Sequence, residues 1–275
     1  MTKSIELNRL TIGYPGKRGQ TVVMRQLNGA LLGGELTCLL GPNGVGKSTL
    51  LKTLAAFIHP LEGTIKIDGR DLCTMSPGLL AKIIGVVLTA KPEAANLTVE
   101  EIVGMGRTPY TGFWGTLDEE DRRVVDWALD LMGIGLLRHR MAGTLSDGES
   151  QRMMIAKALA QQTPVIVLDE PTAFLDFPSK VQLMRLLREV AHHTGKIVFM
   201  STHDVGMALQ LADCLWIMQK GELSIGTTGE LSEQGALSRF LDKDGIRYDP
   251  VDYTIKIKER NREAHVLSVF YSKNQ

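Results

Sequence analysis

The sequence predicts an α/β fold: a doubly wound, mainly parallel sheet with a helical insertion standing on it. Three observations lead there. Short apolar runs recur along the chain, several of them separated by helical patterns. The run "LTCLLG" (36–41) passes straight into a glycine-rich loop and then into the helical pattern "KSTLLKTLAAFI" (47–58), and strand, loop and helix in that order open a parallel sheet. Between about residues 92 and 145 the pattern turns helical, with "LTVEEIVGMG" and "DEEDRRVVDWALDLMG" enclosing the loop "RTPYTGFWG".

Taken in order, "IELNRLTIGY" (5–14) alternates apolar and polar residues like a half-buried strand, and "PGKRG" (15–19) reads as a turn. Further strands are predicted at "TIKID" (64–68), "IIGVVL" (83–88), "VIVLD" (165–169), "IVFMS" (197–201) and "CLWIMQ" (214–219). After Gly226 one more helix is predicted over "ELSEQGALSRFL" (230–241), and the charged tail "KIKERNREAHVLSVFYSKNQ" closes the chain. The expected division is one domain over 1–241, with a helical subdomain inserted at approximately 92–160, and a C-terminal extension over 242–275 to which the sequence assigns no role.

With 275 residues the chain can bury a sizeable core, and with 31 Lys plus Arg against 31 Asp plus Glu it has no net field to draw it onto nucleic acid or an anionic bilayer. Any ligand must be held locally. Cys38, Cys73 and Cys214 lack C-x-x-C spacing and suit reduced thiols in a cytoplasmic protein better than a disulfide framework or a zinc site. The first ten residues lack a signal peptide's apolar stretch, and no run of about 18 uncharged apolar residues occurs, so the chain is not expected to cross a membrane itself.

"GPNGVGKST" fits G-x-x-x-x-G-K-[ST], with a strand before it and a helix after. Such a loop, here Gly41, Pro42, Asn43, Gly44, Val45, Gly46, Lys47, Ser48 and Thr49, wraps a nucleotide's phosphates. Gly44 and Gly46 let N–H groups turn inward, and the helix N-terminus adds partial positive charge. Lys47 is expected to reach the β and γ phosphates, and the Ser48 hydroxyl to ligate Mg²⁺. "VIVLDEP" delivers Asp169 to the same edge of the sheet as a second Mg²⁺ ligand, with Glu170 beside it as general base for the attacking water. "MSTHD" closes the next strand and puts His203 at that edge, where a donor can sense the terminal phosphate.

"LSDGESQR" (145–152) holds Ser146 and Glu149 at capping-box spacing, which starts a helix whose Met153, Met154, Ala156, Leu159 and Ala160 cover one face. The same start, with Ser146, Gly148 and its N–H groups, is also an anion site, in a chain whose own phosphate cradle lies elsewhere.

Over about residues 5–241 these segments together resemble the nucleotide-binding subunit of an ABC transporter. The resemblance implies a P-loop NTPase core sheet with a helical subdomain that bears the family's signature, and an ATPase working with Mg²⁺ to yield ADP and phosphate. It implies that Leu145, Ser146, Asp147, Gly148, Glu149 and Gln151 complete the ATP site of a second copy, so that a homodimer closes head to tail over two ATP molecules. Tyr14 corresponds to the aromatic that stacks on adenine, Asp176 in "AFLD" to the loop coupling the two sites, and His203 to the switch histidine.

Some positions depart from the family. Thr89 stands where the family places a metal-touching glutamine, and it would reach the metal only through water. Asp147 replaces the signature's first glycine and Glu149 its glutamine; two acids near a partner's γ-phosphate oppose closure unless capping occupies Glu149. "VEEIVGMGRTPYTGFWG" and "PTAFLD" resemble the ATPases of importers for iron-siderophore, haem and cobalamin complexes. The partners so implied are separate transmembrane permease subunits docked around residues 89–96 and the insertion, and indirectly a substrate-binding protein, but no nucleic acid. The place implied is the cytoplasmic face of the inner (cell) membrane. The competing reading, a soluble ABC ATPase of nucleic-acid or ribosome function, lacks the long coiled coils or second cassette it would need.

Overall fold

The computed structural model describes residues 3–16, 19–88, 96–112, 115–242 and 246–257. Two long strands, β1 (Ser4–Tyr14) and β2 (Thr21–Leu32), pair antiparallel, and β3 (Leu36–Leu40) leads into α1 (Lys47–Leu54). Then come β4 (Glu62–Ile67), β5 (Arg70–Asp71), α2 (Pro77–Ile83) and β6 (Ile84–Val87), followed by three helices, α3 (Val99–Gly104), α4 (Glu119–Leu131) and α5 (Asp147–Ala160). The chain returns through β7 (Val165–Leu168), α6 (Phe177–Thr194), β8 (Ile197–Ser201), α7 (Val205–Leu211), β9 (Cys214–Gln219) and β10 (Glu222–Gly226). It continues with α8 (Thr228–Glu233), α9 (Ala236–Leu241) and the hairpin of β11 (Ile246–Asp249) and β12 (Thr254–Ile257).

The central sheet runs β10-β9-β3-β8-β7-β6, parallel from β9 to β6, with β10 antiparallel at one edge. Side chains alternate along each strand, so its two faces build two cores. Cys38, Leu40, Ile166, Leu168, Val198 and Met200 join the core formed with the surrounding helices. Leu39, Val165, Val167, Ile197, Phe199 and Trp216 join the core formed with α1 and β1.

The predicted strands read as one doubly wound sheet, but β1 and β4 belong to a separate antiparallel sheet of order β2-β1-β4-β5. Strand β2 was not among the expected strands, because its register with β1 shifts repeatedly and Gln26 takes φ 51°. Its buried residues Met24, Leu27 and Leu31 therefore fall at spacings of three and four, which mimic a helix. The helix expected over 47–58 stops at Leu54: Ala56 turns left-handed at φ 60°, and Phe57 N–H closes on Lys52 O at 2.9 Å. The single helix expected over 230–241 is two, because Gly235 breaks it at φ 67°.

Within the insertion, Ile102, Val103, Val125, Ala128, Leu129 and Met153 interlock α3, α4 and α5. The "GRTPY" loop packs this bundle. Arg107, 4% exposed, donates to Asp121 at 2.7 Å, to Ala160 O at 2.9 Å and to Gln162 Oε1 at 2.8 Å, and lies 4.2 Å from the Tyr110 ring. Removing either partner of such a buried pair costs about 3–5 kcal/mol, because the other charge is left unpaired. Gln161 then joins the bundle to the sheet by donating to Ala81 O and Ile84 O at 2.6 and 3.2 Å. Among the described residues no helix is long and apolar enough to cross a membrane.

Candidate functional site: a phosphate loop and an acidic strand edge

Because β3, β8 and β7 run parallel, their C-terminal ends share one edge of the sheet. The loop that leaves β3 holds the predicted phosphate cradle. Gly44 and Gly46 take φ 76° and 113°, a region side chains rarely adopt, and a Cβ on Gly46 would stand 2.2 Å from Val23 Cγ1. Gly46 also caps α1, and no side-chain hydrogen bond occupies that cap, so the first N–H groups of the helix have no side-chain acceptor there.

Lys47 is 7% exposed and donates to Gly41 O at 2.8 Å and Pro42 O at 3.2 Å. Burial holds its pKa below the usual lysine value, and the carboxylates of Glu170 and Asp169 oppose that shift. Ser48 is exposed, and Thr49, 7% exposed, shares a 3.0 Å hydrogen bond with the hydroxyl of Tyr14. Tyr14, 43% exposed, is thus tethered beside the loop. On the far side of the loop, Pro42, Asn43, Gly44 and Val45 wall a groove of about 450 Å³ together with Val22 and Lys220.

The strand edge carries the acids. Asp169, 6% exposed, takes the Ser201 hydroxyl on its Oδ1 at 2.7 Å. Glu170 is left-handed at φ 51°, its N–H donates to the same Ser201 oxygen at 2.9 Å, and its Oε1 lies 2.7 Å from His203 Nε2. Ser201 is the member of this network that sequence reasoning missed. Its only trace in the sequence is a hydroxyl closing an otherwise apolar strand, "IVFMS". A second missed set fixes the next turn: Asp204 accepts from Thr172 Oγ1 at 3.0 Å and from Lys180 Nζ at 3.1 Å, which ties the start of the loop bearing Asp176 to the segment bearing His203.

The signature segment starts α5. Ser146 and Glu149 form the predicted capping box, with Glu149 Oε2 accepting from Ser146 N–H at 2.8 Å and from its hydroxyl at 2.9 Å. Those two bonds, more than nearby Arg140, hold the Glu149 carboxyl below the usual carboxylate range. Asp147 is exposed in the first turn, and Gly148 has Leu175 Cδ2 3.2 Å from where a Cβ would stand. Leu145 is half-buried against the helical core. Gln151 faces inward at 7% exposure, so it does not share the open face with Ser146. Asp176 caps α6 by accepting from Ser179 N–H at 3.0 Å, and the Ser179 side chain first, with that backbone bond second, holds its carboxyl below the usual carboxylate range.

Ser146, Asp147, Gly148 and Glu149 wall a cavity of about 570 Å³ with Phe174, Leu175 and Asp176. No residue of the phosphate loop lines it, and no residue of the signature lines the groove beside the phosphate loop. Two anion-competent helix starts thus lie at separate places in one chain. Thr89, and most of the docking surface expected around it, lie outside the described residues.

The family model described as ABC transporter matches residues 24–173. An uncharacterised ABC transporter ATP-binding protein of Methanocaldococcus jannaschii is 33% identical over 96% of this chain and 91% of that protein. The iron(3+)-hydroxamate import ATP-binding protein of Bacillus subtilis is 35% identical over 90% of this chain and 91% of its own length. A cobalamin import ATP-binding protein of Halobacterium salinarum is 34% identical over 89% of this chain and 58% of that protein. A dimeric ABC transporter cassette superimposes with a TM-score of 0.73 at 27% identity, over 82% of this chain and 98% of that one. The same cassette has been solved in a post-hydrolysis state with ADP and phosphate.

Proposed function

Since this chain belongs to the ABC transporter family and is an ATPase of the ABC type, we propose that it is the ATP-binding subunit of an importer, powering a separate membrane permease for an iron complex or cobalamin. The similar cassette is dimeric, and in this reading two copies of the present chain close head to tail over two ATP molecules. The observation that supports this is the separation of the two anion-competent helix starts, Gly46 of α1 and Ser146 of α5, into different cavities of one chain. Each is completed by the other's counterpart in a second copy.

In this reading Lys47 and the loop N–H groups grip the β and γ phosphates, and Tyr14 stacks on the base. Ser146 and Gly148 of the second copy close on the γ-phosphate. Glu170, oriented by its bond to His203, takes a proton from the attacking water at Oε1 or Oε2. Ser48 and Asp169 supply a hydroxyl and a carboxylate oxygen near the loop, a hard set that fits Mg²⁺ and would hold it together with phosphate oxygens. Bound there, the ion neutralises charge on the phosphates.

Closure favours the ATP-bound pair only to the extent that ATP binds the closed form more tightly, and hydrolysis removes that preference, so the cycle can drive a permease between two states. The subunit then sits peripherally at the cytoplasmic face of the membrane, with a substrate-binding protein delivering cargo on the other side. Residues 1–241 form the cassette, with approximately 92–160 as its helical subdomain, and 242–275 an extension. The test is Glu170→Gln. Hydrolysis is expected to fall at least about 100-fold while ATP is retained and the protein elutes as a dimer on size exclusion. A variant that stays monomeric with ATP bound overturns the shared site.

A further inference from the structure

We propose that Ser201 is a positioning residue of the ATPase centre, one buried hydroxyl that sets the Asp169 carboxylate and the Glu170 backbone together. The inference rests on the roles given above to those two acids. Strand β8, which ends at Ser201, lies between β3 and β7, that is, between the strand feeding the phosphate loop and the strand feeding the acids. Every other side chain of β8 is apolar, and Ser201 itself is fully buried.

A serine hydroxyl has one proton to give and lone pairs to receive. Here both capacities are assigned without ambiguity. Ser201 Oγ donates to Asp169 Oδ1 at 2.7 Å, and since a backbone N–H cannot accept, Glu170 N–H donates to Ser201 Oγ at 2.9 Å.

The second bond matters because of where Glu170 stands. Strand β7 has ended at Leu168, and Glu170 takes φ 51°, a left-handed conformation disfavoured for any residue with a Cβ. Ser201 gives the N–H of that turn a buried acceptor, and the turn aims the Glu170 carboxylate at His203, 2.7 Å away. One hydroxyl therefore fixes an oxygen of the acid assigned to the metal and the backbone of the acid assigned to the water. Partners that orient ligating or catalytic carboxylates in this way are worth about 10–100-fold in metal affinity or activity.

The test compares Ser201→Ala, Ser201→Thr and Glu170→Gln with the wild type in the full chain. For Ser201→Ala the expectation is a fall in kcat of about 10-fold or more at saturating ATP, with KM for ATP within about 2-fold, since the loop that binds the nucleotide is untouched. The Mg²⁺ concentration for half-maximal rate should rise about 10-fold, and Mn²⁺ binding to the ATP-loaded Glu170→Gln background, read by electron paramagnetic resonance, should weaken likewise when Ser201→Ala is added. Ser201→Thr, which keeps the hydroxyl, should recover most of kcat. If Ser201→Ala does not fold, Ser201→Cys, near in volume and weak in hydrogen bonding, carries the same expectation. A Ser201→Ala protein with wild-type kcat and metal dependence overturns the proposal, as does a threonine variant as slow as the alanine one at equal thermal stability. Wild-type hydrolysis by Glu170→Gln would instead remove the role given to Glu170, whatever Ser201 does.

Discussion

The start of α1 is capped by Gly46, at φ 113° with no side-chain hydrogen bond and no acid in the first turn, whereas α5 starts at Ser146, with a complete capping box and two acids, Asp147 and Glu149, in its first turn. The difference is one of unfinished against finished chemistry. A glycine cap gives the helix's first N–H groups no side-chain acceptor, which is what the proposed phosphate cradle needs. A serine capping box satisfies the Glu149 N–H within the chain, so in the proposed dimer Ser146 has to share its hydroxyl between this cap and the second copy's phosphate. The two helix starts, a proposed phosphate site and a proposed phosphate clamp, thus differ in how the cap is paired.

The largest effect is expected at Lys47. Replacing it with alanine removes the cation that serves the α1 start, and ATP affinity should fall about 100-fold or more, equivalent to about 3 kcal/mol. Binding of a fluorescent ATP analogue measures this, and unchanged affinity would deny the cradle its cation.

A smaller and more selective effect is expected at Ser146. Ser146→Ala should lower stability by about 1 kcal/mol through the lost cap and abolish the ATP-induced dimer of the Glu170→Gln background, while monomers keep their ATP affinity. Should monomer binding weaken instead, the signature would be serving its own chain's nucleotide, and the contrast between the two helix starts would disappear.

The smallest effect sharpens the contrast at Glu149. Its carboxyl sits below the ordinary value of 4.5 because Ser146 donates to it, so its contribution is present above about pH 4.5 and is lost as pH falls through the folded-state value. Glu149→Gln keeps the shape of the capping box without the charge. The difference in melting temperature between it and the wild type should be widest near neutral pH and close in acid, corresponding to about 0.3 kcal/mol because water screens the exposed carboxylate. A gap constant with pH would show that the charge adds nothing to the cap.

Much of this was legible in the linear sequence wherever the controlling interactions are local. The loop from Gly41 to Thr49 announces itself because glycine conformation, helix start and lysine reach all fall within nine consecutive residues. The capping box at Ser146 is likewise a matter of three-residue spacing. What escaped is conformation or packing that spacing does not record. Strand β2 hid behind its bulged pairing with the strand just before it, and the single helix expected over 230–241 is broken where Gly235 takes φ 67°. The "GRTPY" loop reads as a subfamily trait, but only packing reveals Arg107 as the buried tie among Asp121, Ala160 and Gln162.

The sequence by itself determined which groups are available to the chemistry: a lysine and a serine after a glycine loop, two acids and a histidine at the ends of apolar strands, and a second helix start with no phosphate of its own. Such choices follow from spacing along a chain whose backbone has few local states. Only the tertiary structure decided that β8 lies between β3 and β7, and so that Ser201, 32 residues from Asp169 and 31 from Glu170, holds both acids. Strand order is set by burying two faces of one sheet at once, a condition that no local stretch of sequence can express.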